Sequence, residues 1–289
     1  MTVFIASLPD RAVIEVKGDD TLPFLQDLVT ANVADLKPGQ AVHSALLTPQ
    51  GKILFDFFIL AVEGGVLLDC AAESVTSLVQ RLTMYRLRRA LSIAQADDLA
   101  VAAAWGDADL SSLSEGHKFA DTRNAELGSR VIAPPAVIAS ITSQPPEAYL
   151  EHRYKLGISD AAEIGSGDLF PHEACYDQFS SVDFSKGCYV GQEVVSRMQH
   201  RGTARSRMVP IDATSALPVP GAKVMADDRQ VGTLLGAQGS NGLALIRLDR
   251  AAKAARAGKA LSVDGQPITM HKPAWARWAD AADTAGDED

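Results

Sequence analysis

The stretch Lys186-Gly187-Cys188-Tyr189-Val190-Gly191-Gln192-Glu193 concentrates more chemistry than any other part of the chain. Its cysteine sits just ahead of a helix start, beside a lysine and between two glycines, a setting that favours a thiolate. The competing reading is a small cysteine filling a gap in the core, as most do. The helix that follows is well signalled. Glu193 can pair with Arg197 at i,i+4, and Val194, Val195 and Met198 form an apolar stripe. Arg197, His200 and Arg201 fall in the last turn, and Gly202 suits the C′ position. Asp56 is the second candidate. In Ile53-Leu54-Phe55-Asp56-Phe57-Phe58-Ile59-Leu60 both faces of a strand are otherwise apolar, so the carboxylate needs buried donors or a proton. It could bind the N–H groups of a ligand, handle a proton, or cap another part of the backbone. Glu173 could accept two parallel hydrogen bonds from an amidine-like edge, although a glutamate in a loop is more often solvated. His172 and His200 lack metal-ligand spacing, and no metal site is expected.

Two basic runs, Arg81–Arg89 (Arg81, Arg86, Arg88, Arg89) and Arg197–Arg207 (Arg197, Arg201, Arg205, Arg207), contrast with a chain whose 27 basic and 36 acidic residues give a net charge of −9. They could hold carboxylates, phosphates or tRNA, or pair with acids elsewhere in the fold. The overall charge balance does not suit a dedicated nucleic-acid binder. Cys70, Cys175 and Cys188 are an odd number without C-x-x-C spacing, which points to reduced thiols rather than a disulfide framework or zinc site.

Positioning these residues requires an α+β scaffold. Arg11–Lys17 predicts a strand, Asp19 or Asp20 caps a helix carrying Leu22, Leu25, Leu28 and Val29, and Lys52–Val62 and Val66–Cys70 predict an antiparallel hairpin. Ser74 caps an amphipathic helix with Val75, Leu78, Val79 and Leu82. Beyond Ala204, short strands alternate with turns such as Pro220-Gly221 and Asp264-Gly265, the pattern of a small antiparallel barrel. The expected organisation is an α+β region over 1–203, a β-barrel over 204–275 and a solvated acidic tail over 276–289. No apolar run is long enough to span a bilayer, and Met1–Pro9 lacks an export signal, so a cytoplasmic protein is expected.

The Lys186–Glu193 block resembles the signature of the YgfZ family, folate-binding proteins related to the T-protein (aminomethyltransferase) of the glycine cleavage system and to mitochondrial iron–sulfur assembly factors. Val16-Lys17-Gly18-Asp19 to Leu28, Leu47-Thr48-Pro49-Gln50-Gly51-Lys52, Tyr85-Arg86-Leu87-Arg88, and Arg153 with Gly157 extend the resemblance over roughly residues 11–273. It implies a T-protein-like ring of subdomains around a hole for tetrahydrofolate or a one-carbon derivative, closed by a C-terminal barrel. It implies folate contacts from Asp56, Glu173, Tyr189 and Arg197, and functional roles for Asp56 and for Cys188, the family's hallmark. Asp56 falls on the second aspartate of the T-protein's Asp-Asp pair, whereas Phe55 replaces the first, which weakens the alternative of aminomethyl transfer. The implied role is assembly or repair of iron–sulfur clusters, with iron–sulfur proteins or assembly factors as partners and tRNA-modifying enzymes among the beneficiaries. The resemblance also suggests that Cys188 and the folate share one cavity.

Overall fold

Alternating apolar residues build three β layers, and the helices cover the faces these layers leave open. The computed structural model describes residues 3–107, 110, 113, 115–202 and 204–278. The first sheet is antiparallel with strand order β3 (Ala41–Leu47), β4 (Ile53–Val62), β5 (Gly65–Ala71), β2 (Arg11–Lys17) and β6 (Ser92–Gln95). Its neighbour has the order β1 (Val3–Ser7), β7 (Ala100–Gly106), β9 (Ser129–Ala133) and β8 (His117–Ala120). β10 (Ser206–Ala213), β13 (Asn241–Arg247), β12 (Arg229–Gln238), β11 (Lys223–Ala226), β14 (Leu261–Val263) and β15 (Gln266–Met270) close into a barrel, because β10 pairs with both β13 and β15.

One face of the first sheet packs on α1 (Thr21–Gln26) and α2 (Val75–Arg86) through Phe24, Leu25, Phe57, Ile59, Leu68, Leu78 and Leu82. Its other face, with Val13, Phe58 and Leu60, meets Ala103, Trp105 and Ile132 of the second sheet. Tyr149 and Tyr154 of α4 (Pro146–Lys155) and Met208 and Leu243 of the barrel join the same core. α3 (Pro135–Ile141) covers the far face of the second sheet through Ile138. α5 (Ala161–Ile164) and α6 (Gln192–Arg201) flank the segment that carries the cysteine motif, and α7 (Leu248–Arg256) packs on the barrel.

Several expectations change in detail. A register shift between Leu46 and Leu47 rotates the start of β4, so Ile53 faces the same core as Phe58 rather than that of Phe55 and Phe57. Ser74 occupies the N-cap of α2 without a side-chain cap hydrogen bond. Strands β1 and β6 to β9 and helices α3, α4, α5 and α7 have no counterpart among the expected elements. Trp275 and Trp278 pack against the core and Arg207 lies over the Trp278 ring, so the packed chain continues past the expected start of the tail at 276. Residues from 279 onward lie outside the described residues. Among the described residues no helix is long and apolar enough to cross a membrane.

Candidate functional site

The cysteine motif forms a braced loop. Asp183 Oδ1 accepts hydrogen bonds from the Ser185 and Lys186 backbone amides, and the Asp183 amide donates to the Thr30 carbonyl at 2.9 Å. Lys186 turns inward, away from the role of thiol activator expected of it, and its ammonium donates to the carbonyls of Val29 and Ala31, each at 2.7 Å. Burial pushes the Lys186 amine down to about 8. Tyr189 is buried below the loop, where burial raises its hydroxyl to about 12. Gly191 is the N-cap of α6 at φ 81°, and a Cβ there would stand 2.5 Å from the Thr48 carbonyl oxygen. Gly51 answers from the other side: its Cβ would lie 2.9 Å from the Cβ of Val194. The Thr48-Pro49-Gln50-Gly51 turn and the start of α6 thus interlock backbone to backbone, which explains two glycines of two separate motifs.

This bracing leaves Cys188 exposed, whereas Cys70 and Cys175 are buried. α6 then follows its expected course, with Arg197 donating to Glu193 at 2.6 Å and Gly202 as a left-handed C-cap.

Asp56 is buried on the face of β4 that meets the second sheet. Burial alone would raise its carboxyl, but the hydrogen bond from His43 Nε2 at 3.4 Å and the charge of Arg11 hold it below the usual carboxylate range. Burial keeps His43 neutral, and its Nδ1 lies 2.8 Å from the Ser181 hydroxyl. Beyond this pair lies an ion cluster that sequence reading missed. Arg11 donates to Asp69 at 2.6 Å, Arg123 to Asp121 at 2.8 Å and to Asp160 at 2.9 Å, and Arg153 to Glu163 at 2.7 Å. Arg130 reaches Asp69 at 3.2 Å. The buried Arg130 Nε and Nη2, Tyr149 hydroxyl and Ser159 hydroxyl have no hydrogen-bond partner among the described residues. Spacing could not reveal this cluster, since its members come from both sheets, the loop after β8, α4, and α5 with its N-cap, and Arg11 pairs with Asp160 149 positions away. Only Arg153 had been marked, through the resemblance.

Three cavities adjoin the cluster. A compartment of about 60 Å³ is lined by Asp56, Phe55, Cys70, Glu73, Ala161 and Ser166 among others. It shares Ala71, Glu73 and Ala161 with a cavity of about 300 Å³, which shares Arg11, Arg153 and Asp160 with another of about 190 Å³. The three thus share walls in sequence, and only the smallest reaches Asp56.

The other residues expected to bind folate are not in this lining. Glu173 accepts from the Phe170 amide at 3.0 Å, and burial raises its carboxyl. Tyr189 is core, and Arg197 is exposed and paired with Glu193. Cys188 lines none of the three cavities, and its thiol is exposed on the loop. The second basic run also proves partly structural, because Arg207 is buried against Asp177 and donates to the His172 carbonyl at 2.7 Å. Among the described residues no group of three His, Cys, Asp or Glu side chains is placed to hold a metal.

Two α+β layers, a closed six-stranded barrel and a braced loop between them define the aminomethyltransferase-like class of folds. The crystal structure of the glycine cleavage system aminomethyltransferase T from Bartonella henselae superposes with a TM-score of 0.73 over 95% of this chain and 86% of its own, at 14% identity. Residues 205–278 match the model of the CAF17 C-terminal β-barrel domain. The chain is 30% identical to the IBA57 homologue of Aspergillus oryzae, a mitochondrial iron–sulfur cluster assembly factor, over 84% of this chain and 70% of that one. The Homo sapiens IBA57 is 29% identical over 83% of this chain and 76% of its own. For the Chaetomium globosum homologue the figures are 31%, 71% and 55%, so the match spans little more than half of that longer protein. The chain belongs to the IBA57 family of iron–sulfur cluster assembly factors.

Proposed function

We propose that this protein acts in iron–sulfur cluster assembly or repair by presenting Cys188 to partner proteins, and that it binds a reduced folate in the row of cavities that ends at Asp56. The observation that carries the first half is the outward-facing thiol on a loop anchored by two buried hydrogen bonds from Lys186. An exposed thiolate is a soft ligand and a nucleophile, suited to iron, sulfur or a mixed disulfide during transfer. The family names of the relatives point to the same pathway.

The inner end offers chemistry that suits a reduced folate, because the buried Asp56 is an acceptor for pterin N–H groups. The compartment at Asp56, about 60 Å³, is below the size of a ligand pocket, so the ring needs that end to widen. Bound tetrahydrofolate supplies a one-carbon carrier. The protein's own part is to orient it through Asp56, whose charge His43 and Arg11 maintain. Membership of the YgfZ branch, support of tRNA-modifying enzymes and a cytoplasmic site of action complete the reading.

The test has two arms. In cells lacking this gene, the wild-type chain restores the activity of iron–sulfur enzymes and Cys188→Ser does not; full rescue by Cys188→Ser removes the role of the thiol. Titration of the purified protein with tetrahydrofolate gives micromolar affinity, about −8 kcal/mol, and Asp56→Asn weakens it about tenfold. No binding by the wild type removes the folate half. Aminomethyl transfer is the second reading, kept by Asp56 alone; formation of methylene-tetrahydrofolate from an aminomethyl-lipoyl carrier would favour it.

A further inference from the structure

The end of α2 carries a feature that the folded monomer does not use. Among the described residues the large apolar side chains that stand well exposed are Val3, Met84, Leu87 and Val219, and two of these four lie three positions apart at this helix end. Leu87 is 83% exposed and Met84 68%. Leu87 also has φ 53° and ψ −113°, a backbone state that glycine enters freely and a leucine rarely. Its side chain recovers nothing for this strain inside the monomer, since most of it meets water.

The surroundings are basic. Arg88 is exposed and Arg81 half-buried, and neither has an ion-pair partner among the described residues. Arg86 and Arg89 are used to shape the knuckle: Arg86 donates to the Leu91 carbonyl at 2.8 Å, and Arg89 pairs with Asp27 at 2.9 Å and lies over the Phe24 ring. Asp27 caps the C-terminus of α1, and the carbonyls of Val29 and Ala31 that follow are the ones Lys186 holds. The Asp27 charge reaches Lys186 itself. Tyr85 and Val190 pack on the same core cluster. The helix end and the Cys188 loop therefore pack on one core cluster and are linked through the end of α1.

We infer that Met84 and Leu87, ringed by Arg81 and Arg88, form the docking knob for an acidic partner protein that exchanges a cluster, or its iron or sulfur, at Cys188. This rests on the proposed role in iron–sulfur assembly and adds where the partner sits and what it must present: an apolar pocket bordered by carboxylates. In a chain of net charge −9, a local basic face carrying an apolar tip selects such a partner by charge complementarity. A nucleic acid would use the arginines but has no use for the leucine, and a second copy of this acidic chain would have to bring its own carboxylate-rimmed pocket.

The experiment places the photo-crosslinker p-benzoylphenylalanine at position 87, with position 219 on the barrel as the exposed apolar control, in cells lacking the native gene. The expected adduct at 87 contains an acidic iron–sulfur protein or assembly factor, is absent at 219, and falls several-fold when Arg81→Glu and Arg88→Glu are added. In the same cells Leu87→Glu lowers iron–sulfur enzyme activity at least tenfold while Val219→Glu leaves it unchanged. Leu87→Gly relieves the backbone and raises the melting temperature, yet also lowers activity, which separates docking from folding. An adduct with RNA or with a second copy, no adduct at 87, or full activity of both Leu87 variants overturns the docking surface. If the wild-type chain itself restores no iron–sulfur enzyme, the proposed function fails, and the adduct at 87 still decides whether an acidic protein docks there.

Discussion

A thiol-specific reagent should find one cysteine in the native protein and three in the unfolded one. Burial pushes the thiols of Cys70 and Cys175 up to about 12 in each case. At pH 8 such a thiol is ionised to about one part in 10⁴, against roughly a quarter for an unperturbed thiol. The missing thiolate alone slows both residues by about 10³, before any allowance for the core packed over them. Cys175 is further held by its contact with the Met208 carbonyl at 3.5 Å. Cys188, by contrast, is exposed on its loop, with no core packed over it. The assay is a stopped-flow reaction with an aromatic disulfide at pH 8, monitored by thiolate release. The expected trace is one equivalent in the fast phase, abolished by Cys188→Ser, and two more equivalents released only on the timescale of unfolding or on adding denaturant. A second fast equivalent, or a fast phase that survives Cys188→Ser, refutes the placement of the three sulfurs and the reasoning that makes Cys188 the one available for exchange.

Gly191→Ala should destabilise the protein by about 2–3 kcal/mol in urea unfolding, because the left-handed backbone and the nearby Thr48 carbonyl both oppose a Cβ. An unchanged midpoint would mean that the turn and the loop do not interlock. Acid should also unfold the protein through its buried carboxylates. Asp56, Asp121 and Asp160 all lie below the usual range; for Asp121 and Asp160 burial opposes this and the neighbouring arginines outweigh it. Below the unfolded-state value near 4 the unfolded chain binds more protons than the folded one, so their contribution is full above about pH 5 and is lost as pH falls through the folded values. Urea midpoints measured from pH 7 down to pH 3 should fall, and Asp160→Asn should flatten that slope while lowering the midpoint at pH 7. A midpoint independent of pH over this range contradicts the charged state of the cluster.

Local pattern was enough to read β2, the hairpin of β4 and β5, the helix after the cysteine, its Glu193–Arg197 pair and its Gly202 stop, but not the second sheet of β1, β7, β9 and β8. Each depends on neighbours within a few positions, where periodicity and capping chemistry act directly. Alternation in the last third of the chain likewise made the barrel legible. The same local rules could say that Asp56 is buried, since apolar residues flank it on both faces, but not what satisfies it.

That answer, and most of the site, came from long-range packing. His43 reaches Asp56 across a strand pair, Arg11 meets Asp69 on the neighbouring strand β5, and Asp160 joins them only because the start of α5 packs there. An ion pair between distant positions leaves no periodic trace. Lys186 shows the limit most sharply. By spacing it is the neighbour of Cys188 and a natural activator, yet the fold turns its ammonium to two backbone carbonyls, because a buried N–H donor must be satisfied and those acceptors lie within reach. The sequence by itself determined that this chain carries a cysteine loop ahead of a capped helix on an α+β scaffold with a barrel. Only the tertiary structure decided that the thiol faces outward and which groups meet the buried aspartate, since these depend on which distant surfaces the folded chain brings together.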